Sequence, residues 1–142
     1  MEVDRNGLEV LDREECLRLL ACATLGRVGL TSGALPMVLP VNFLLDEERI
    51  LVRTGRGSKM EAALRDAVVA FEVDDFDSMD RSGWSVAVTG VASEVSTPAG
   101  LAAVRQMPIA RWAPHGDEAV LAISTEIVSG RRITLGAQRA SL

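Results

Sequence analysis

Histidine, cysteine and basic charge are all scarce in this chain, and each scarcity removes a chemistry. A single histidine, His115, cannot supply a multi-histidine metal site, and neither a CxxC nor an HExxH spacing occurs, so no metal is expected. No GxSxG elbow is present for a serine hydrolase, and Gly55-Arg56-Gly57-Ser58-Lys59 lacks the spacing of a nucleotide P-loop. The two cysteines, Cys16 and Cys22, stand six apart on one predicted helix, which points them to different faces and prevents a bridge between them. Both read as reduced core thiols of a cytoplasmic protein. The longest apolar stretch, Leu35 to Leu45, is too short to cross a bilayer and contains Pro36, Pro40 and Asn42. Met1-Glu2-Val3-Asp4 is acidic and polar, unlike a secretory leader. With 15 Lys+Arg against 20 Asp+Glu the formal charge is -5, so neither nucleic acid nor an anionic membrane is an expected partner.

What is present suffices for a folded body. The 142 residues are 48% hydrophobic and 25% charged, with mean hydropathy +0.20, which gives ample apolar surface to offset chain entropy. One domain over 1–142 is expected, with 1–10 and 137–142 as loose termini. Asp12 to Cys22 reads as a helix: Asp12 caps it, Glu15 completes a capping box, and Leu11 with Cys16 suits a hydrophobic staple. Short β-rich runs follow at Leu25 to Thr31, Leu35 to Leu45 and Ile50 to Thr54, separated by turn residues. A helix capped by Ser58 is expected over Lys59 to Arg65, then strands at Val68 to Asp74 and Trp84 to Val95, joined by an acidic, mobile loop from Asp75 to Gly83. Thr97-Pro98 starts a third helix that ends before Pro108, and Ala119 to Ser124 and Arg132 to Leu135 complete the strands. The set predicts a mainly β protein with short helices, a six- to seven-stranded antiparallel barrel whose closure removes exposed edges.

Two segments carry chemistry. Arg53-Thr54-Gly55-Arg56-Gly57-Ser58-Lys59 places three cations, two hydroxyls and two glycines in seven residues of an acidic protein, a positive spot of phosphate size. It is also what a solvated turn with a helix cap looks like, and spacing alone does not choose between the two. Upstream, Pro40 interrupts an apolar strand, which marks an edge or a bulge where backbone groups can meet a ligand. Strand parity puts Val38, Pro40 and Asn42 on one face and Met37, Leu39, Val41 and Phe43 on the other, the second set forming core. The first set offers a flat apolar floor with one amide handle, as a planar heteroaromatic ring needs; Asn42 tying down a turn is the plainer reading.

The order Leu25-Gly26-Arg27-Val28-Gly29, Pro36 to Phe43, Val52-Arg53-Thr54-Gly55 with Ser58-Lys59, Phe71-Glu72-Val73-Asp74 and Gly83-Trp84-Ser85-Val86 resembles the pyridoxamine 5'-phosphate oxidase-like flavoproteins. The likeness runs from Leu11 to Leu135 and is nearest to the short bacterial branch that includes nitroimidazole-resistance-type proteins. It implies an FMN-binding split β-barrel that pairs into a homodimer, with one FMN in each of two clefts at the interface. On that resemblance Thr54, Ser58 and Lys59 hold the FMN phosphate with Arg53 nearby, and Pro40, Val41 and Asn42 run beside the isoalloxazine. Trp84 and Ser85 match strand residues that approach the cofactor from the other subunit, although Trp84 with Val86 and Val88 reads equally as core. Trp112, within Arg111 to Gly116, is similar to a loop tryptophan near the flavin cleft, and His115 is a weak candidate for a proton donor. No C-terminal arginine-rich signature of the vitamin B6 oxidases is found, so oxidation of pyridoxamine phosphate is not expected. The implied function is an oxidoreductase passing hydride or electrons between a reduced nicotinamide or small organic substrate and a second acceptor. The alternatives are a deazaflavin-dependent reductase and a non-enzymatic flavin carrier or sensor.

Overall fold

Alternation builds the sheet. Along strand β6 (Val68–Asp77), Val69, Phe71 and Val73 are buried while Val68, Ala70 and Asp74 face out, the period of two that a half-covered strand requires. The computed structural model describes residues 1–108 and 117–134. Its other elements are β1 (Glu2–Val3), β2 (Glu9–Leu11), α1 (Arg13–Ala21), β3 (Leu25–Ser32), β4 (Leu35–Asp46), β5 (Arg49–Gly55), α2 (Lys59–Leu64), β7 (Ser82–Glu94), α3 (Pro98–Arg105), β8 (Glu118–Ser124) and β9 (Ile127–Thr134).

All pairings are antiparallel, and the strands follow the order β1-β2-β9-β7-β6-β3-β4-β5-β8, with β8 returning to β7. Six strands, β3 to β8, therefore close a ring. Two of them divide their length between neighbours. Strand β7 pairs with β9 over Ser82 to Thr89 and with β8 over Ala92 to Glu94. Strand β4 pairs with β3 over Leu35 to Asn42, and with β5 only from Phe43 onward. The barrel is thus split at both places.

Inside the ring, Phe71 stands edge-on to Phe43 with centroids 4.9 Å apart, among Val28, Val41, Ile50, Val52, Val86 and Leu121. A side chain at Gly26 would collide with the Phe71 ring, so the close approach of β3 needs glycine there. Helix α1 packs on β9, β4 and β7, burying Cys16, Leu19 and Leu20. Asp12 caps it by accepting from the Glu15 amide at 2.9 Å. The expected capping box is only half made, because the Glu15 carboxylate turns to Arg18 and Arg132 instead.

Several expectations need correction. The six-stranded barrel is as expected, but three further strands, β1, β2 and β9, extend the sheet beyond it among the described residues. The first ten residues are not wholly a loose arm: Asp4 accepts from the Asn6 and Leu8 amides to form a turn, and β1 and β2 then pair along the edge of β9. Ion pairs Asp4–Arg131 and Glu9–Arg132 fasten them. The acidic loop shrinks to a tight turn, since Asp75 to Asp77 continue the ladder against Trp84 to Ser82. Asp77 then closes the turn by accepting from the Met79 and Asp80 amides. Strand β9 begins at Ile127, five residues before the expected start. Cys16 is a core thiol as expected, but Cys22 is exposed just beyond α1, and neither is bridged. No described helix is long and apolar enough to cross a membrane. The 137–142 segment lies outside the described residues.

Candidate functional site

The end of β5 delivers Thr54 to a tight corner. Thr54, buried, shares a hydrogen bond with the Ser58 hydroxyl at 3.1 Å, and the Ser58 oxygen also accepts from the Glu61 amide at 3.1 Å, capping α2. The turn closes when the Ser58 amide donates to the Gly55 carbonyl at 3.1 Å, and Gly57 supplies the left-handed φ of 81° that this turn demands. The Gly57 amide donates to the buried Glu61 carboxylate, which also pairs with Arg65. Those two contacts, the amide first, hold the Glu61 carboxyl below its ordinary range.

The cations of this segment part company. Arg56 pairs with Glu94 at 2.9 Å and Asp117 at 3.2 Å, so its charge is met within the protein. Arg53 lies on the opposite face of β5 from Thr54; it reaches the Val104 carbonyl at 3.4 Å and stands 4.0 Å from Glu118. Resemblance brought Arg53 to the phosphate corner, and strand parity takes it away, toward α3. Lys59 is left as the cation of the corner. It is exposed, makes no ion pair among the described residues, and borders a cavity of about 380 Å³ between α2 and the β3–β4 turn. Thr31, Ser32, Ala62, Ala63 and Arg65 line the same space.

Strand β4 supplies the facing wall. The Phe43 amide donates to the Thr24 carbonyl at 3.1 Å, so odd-numbered residues of this strand point their N–H at β3 and even-numbered ones point away. Pro36 and Pro40 fall on the outward set, where a missing N–H breaks no ladder bond. From Pro36 to Asn42 no described strand pairs with that outward edge, which leaves the Val38 and Asn42 amides turned away from β3. Continuing the β4–β5 register past its last pair, Phe43 with Val52, sets Asn42 opposite Arg53 and Val41 opposite Thr54. The unpaired edge of β4 and the end of β5 that leads into the Thr54–Ser58–Lys59 corner are therefore neighbours, with Thr54 on the inner face beside Val41 and Asn42 on the face of Arg53.

Of the predicted apolar floor, Val38 and Pro40 are exposed and Asn42 is half-buried, on the outer face with Leu25, Arg27 and Gly29 as cross-strand neighbours. Val41 and Phe43 are core as expected. Met37 is not: it is 41% exposed, because the first half of β4 runs on past the barrel. Trp84 points inward against the core, while Ser85 sits on the outer face, and β6 and β3 separate both from β4 within one chain. Trp112 and His115 lie outside the described residues. No group of residues that could hold a metal occurs among the described ones.

Sequence reasoning missed one cluster. On the outer face of β6, Glu72 lies within hydrogen-bonding reach of Asp74, and Arg27 on β3 stands 4.0 Å from Glu72 and 3.4 Å from Asp74. The Glu72 carboxyl is pushed up to about 7, first by burial and then by Asp74. Two acids at i and i+2 of an alternating strand are the signal that could have found it.

The family model described as pyridoxamine 5'-phosphate oxidase matches residues 12–132. An uncharacterized protein of Mycobacterium tuberculosis, Rv0080, is 44% identical over 128 residues, covering 87% of this chain and 84% of its own. The solved FAD binding protein of Mycobacterium smegmatis is 31% identical with a TM-score of 0.76, covering 88% of this chain and 97% of that one. A FAD-binding protein of Mesorhizobium loti shares the fold at 23% identity and a TM-score of 0.72, over 88% and 96% of the two chains. The chain belongs to the pyridoxamine 5'-phosphate oxidase family, and its fold is the antiparallel split barrel of these relatives.

Proposed function

We propose that this chain is a flavin-dependent oxidoreductase that works as a homodimer on a small organic molecule, in the reducing cytoplasm. The observation that carries the reading is the unpaired edge of β4 beside the end of β5 that leads into the Thr54–Ser58–Lys59 corner. A flavin nucleotide has the matching parts, an anionic phosphate and a flat ring with a polar edge. The residues fit it: Lys59 is uncommitted among the described residues, and a Cβ built at Gly55 would meet nothing nearer than Ser58 at 4.0 Å. Two unbridged cysteines, one of them exposed, suit a reducing compartment.

In this reading Lys59 and the Ser58 and Thr54 hydroxyls bind the phosphate, a charge-assisted arrangement. The outward amides of Val38 and Asn42 and the Asn42 side chain orient the polar edge of the ring. Val38 and Pro40 exclude water from one of its faces. The bound flavin supplies hydride and electron transfer, which no side chain here provides. FMN is the smallest ligand that meets these contacts. A second reading, FAD, is favoured by the cavity of about 380 Å³ that Lys59 borders and by the FAD-binding relative at 31% identity.

Purified protein is expected to be yellow, and mass spectrometry of the released cofactor separates FMN from FAD. Colourless protein that takes up a deazaflavin instead would sink both. Lys59→Ala is expected to weaken flavin retention by about 1.5–3 kcal/mol, roughly ten- to a hundredfold or somewhat more in Kd, with Ser58→Ala adding to it. Bleaching by a reduced nicotinamide and recovery with an acceptor at catalytic rates separate an enzyme from a carrier.

A further inference from the structure

The outer face of the sheet formed by β4, β3, β6, β7 and β9 has an arrangement that no single-chain role accounts for. Cross-strand register lays its residues in rows. One row is Val38, Gly29, Ala70, Thr89 and Ile127; Pro40, Arg27, Glu72, Ala87 and Ser129 form the next. Val38, Val68 and Ile127 are 69%, 70% and 64% exposed. Five strands at ~4.8 Å and five rows at ~6.8 Å span on the order of 800 Å², about what each partner of a stable interface contributes. The face continues to the unpaired edge of β4, since Val38 and Pro40 belong to both.

In the middle of this mixed surface, among the exposed Val38, Val68 and Ile127, sits a charged cluster. Glu72 Oε1 is buried and, among the described residues, it is the side-chain atom that finds no hydrogen-bond partner. Its neighbours are limited. Arg27 faces it from β3 and Asp74 from its own strand; Ala87, Ser85 and Thr89 on β7 and Pro40 on β4 carry no charge. Arg131 on β9 lies one row away and is occupied by Asp4 at 2.9 Å. A proton shared between Glu72 and Asp74 satisfies the orphan oxygen and leaves the cluster neutral against Arg27. Without that proton each copy presents a net charge of one minus, and two such faces repel while losing solvent.

We propose that this face is where two copies of the chain meet, and that each copy must hold a proton on its Glu72–Asp74 pair for them to do so. The inference rests on the homodimer reading above and adds its location and its control. Association removes water from the pair and so favours the protonated form further. The dimer is therefore strongest in mildly acid solution and weakens as pH rises past neutrality.

Full-length protein with its native cofactor, taken through a dilution series by fluorescence-detected sedimentation at pH 6.5, 7.5 and 8.5, tests this. The wild-type dimer Kd is expected to rise at least tenfold from pH 6.5 to 8.5, the ceiling for one proton per copy being about a hundredfold per pH unit. Glu72→Gln, which keeps the shape without the charge, is expected to hold the pH 6.5 affinity throughout. Asp74→Asn, in which Glu72 and Arg27 balance without a proton, is likewise expected to lose the rise in Kd between pH 6.5 and 8.5. A wild-type Kd that does not change with pH, or a Glu72→Gln variant that keeps the wild-type pH dependence, overturns the inference and leaves the dimer standing. Monomer at every pH in both proteins overturns the homodimer reading and this inference together. Val68→Asp, placed on the same face away from the cluster, is expected to weaken the dimer equally at all three pH values; an unchanged Kd in that variant places the interface elsewhere.

Discussion

Gly130 sets the distance between a strand and a helix. A methyl group there would meet the Cys16 sulfur at 2.6 Å and Leu11 Cβ at 3.3 Å, both deep in the core. Gly130→Ala is therefore expected to destabilise the fold by about 1–3 kcal/mol through overpacking, read as a lower urea midpoint with an unchanged m-value. Such constraints cannot be seen along a chain, because Gly130 and Cys16 meet only after folding. The corner at Thr54, Ser58 and Lys59 is different: its turn and the cap of α2 were legible because a cap residue, a turn glycine and a helix start are local features. Arg53 was misplaced for the same reason, since its proximity in sequence to Thr54 concealed that the two face opposite ways. Glu72 went unnoticed as chemistry because the burial that does most to raise its carboxyl exists only in the folded sheet.

Helix α1 shows what short-range signals can and cannot specify at the scale of an element. Its start was readable from Asp12, and the cap is made; Asp12→Ala is expected to cost about 0.5–2 kcal/mol in chemical unfolding by orphaning the Glu15 amide. The Glu15 side chain was misread because a partner 117 residues away, Arg132, outbids the local amide. Those arginine contacts, Arg18 first, lower the Glu15 carboxyl to about 2. Their contribution is present above about pH 4.5 and is lost as pH falls toward 2, so acid titration of Arg132→Met should show a smaller loss of stability over that range than wild type. The β6–β7 hairpin was mistaken for a loop since aspartates disfavour strands, yet ladder pairing along Asp75 to Asp77 overrides that preference. Pro40 marked an edge or a bulge, and β4 has an unpaired edge there.

For the whole molecule, the fold class was legible in the succession of short alternating runs, but the way the ring closes was not. Closure depends on β7 and β4 each serving two neighbours at different points along their length. No periodicity reports a change of partner midway along a strand. The edge contributed by the N-terminal residues was hidden likewise, because β1 and β2 exist only where β9 offers its backbone.

That last pairing has a consequence for biosynthesis. Glu9, Val10 and Leu11 find their partners at Arg132, Arg131 and Gly130. While a ribosome still shelters β9, Glu9 to Leu11 have nowhere to dock. The nascent chain must therefore keep that segment solvated until β9 has emerged, and β2 joins the sheet only once β9 is in place.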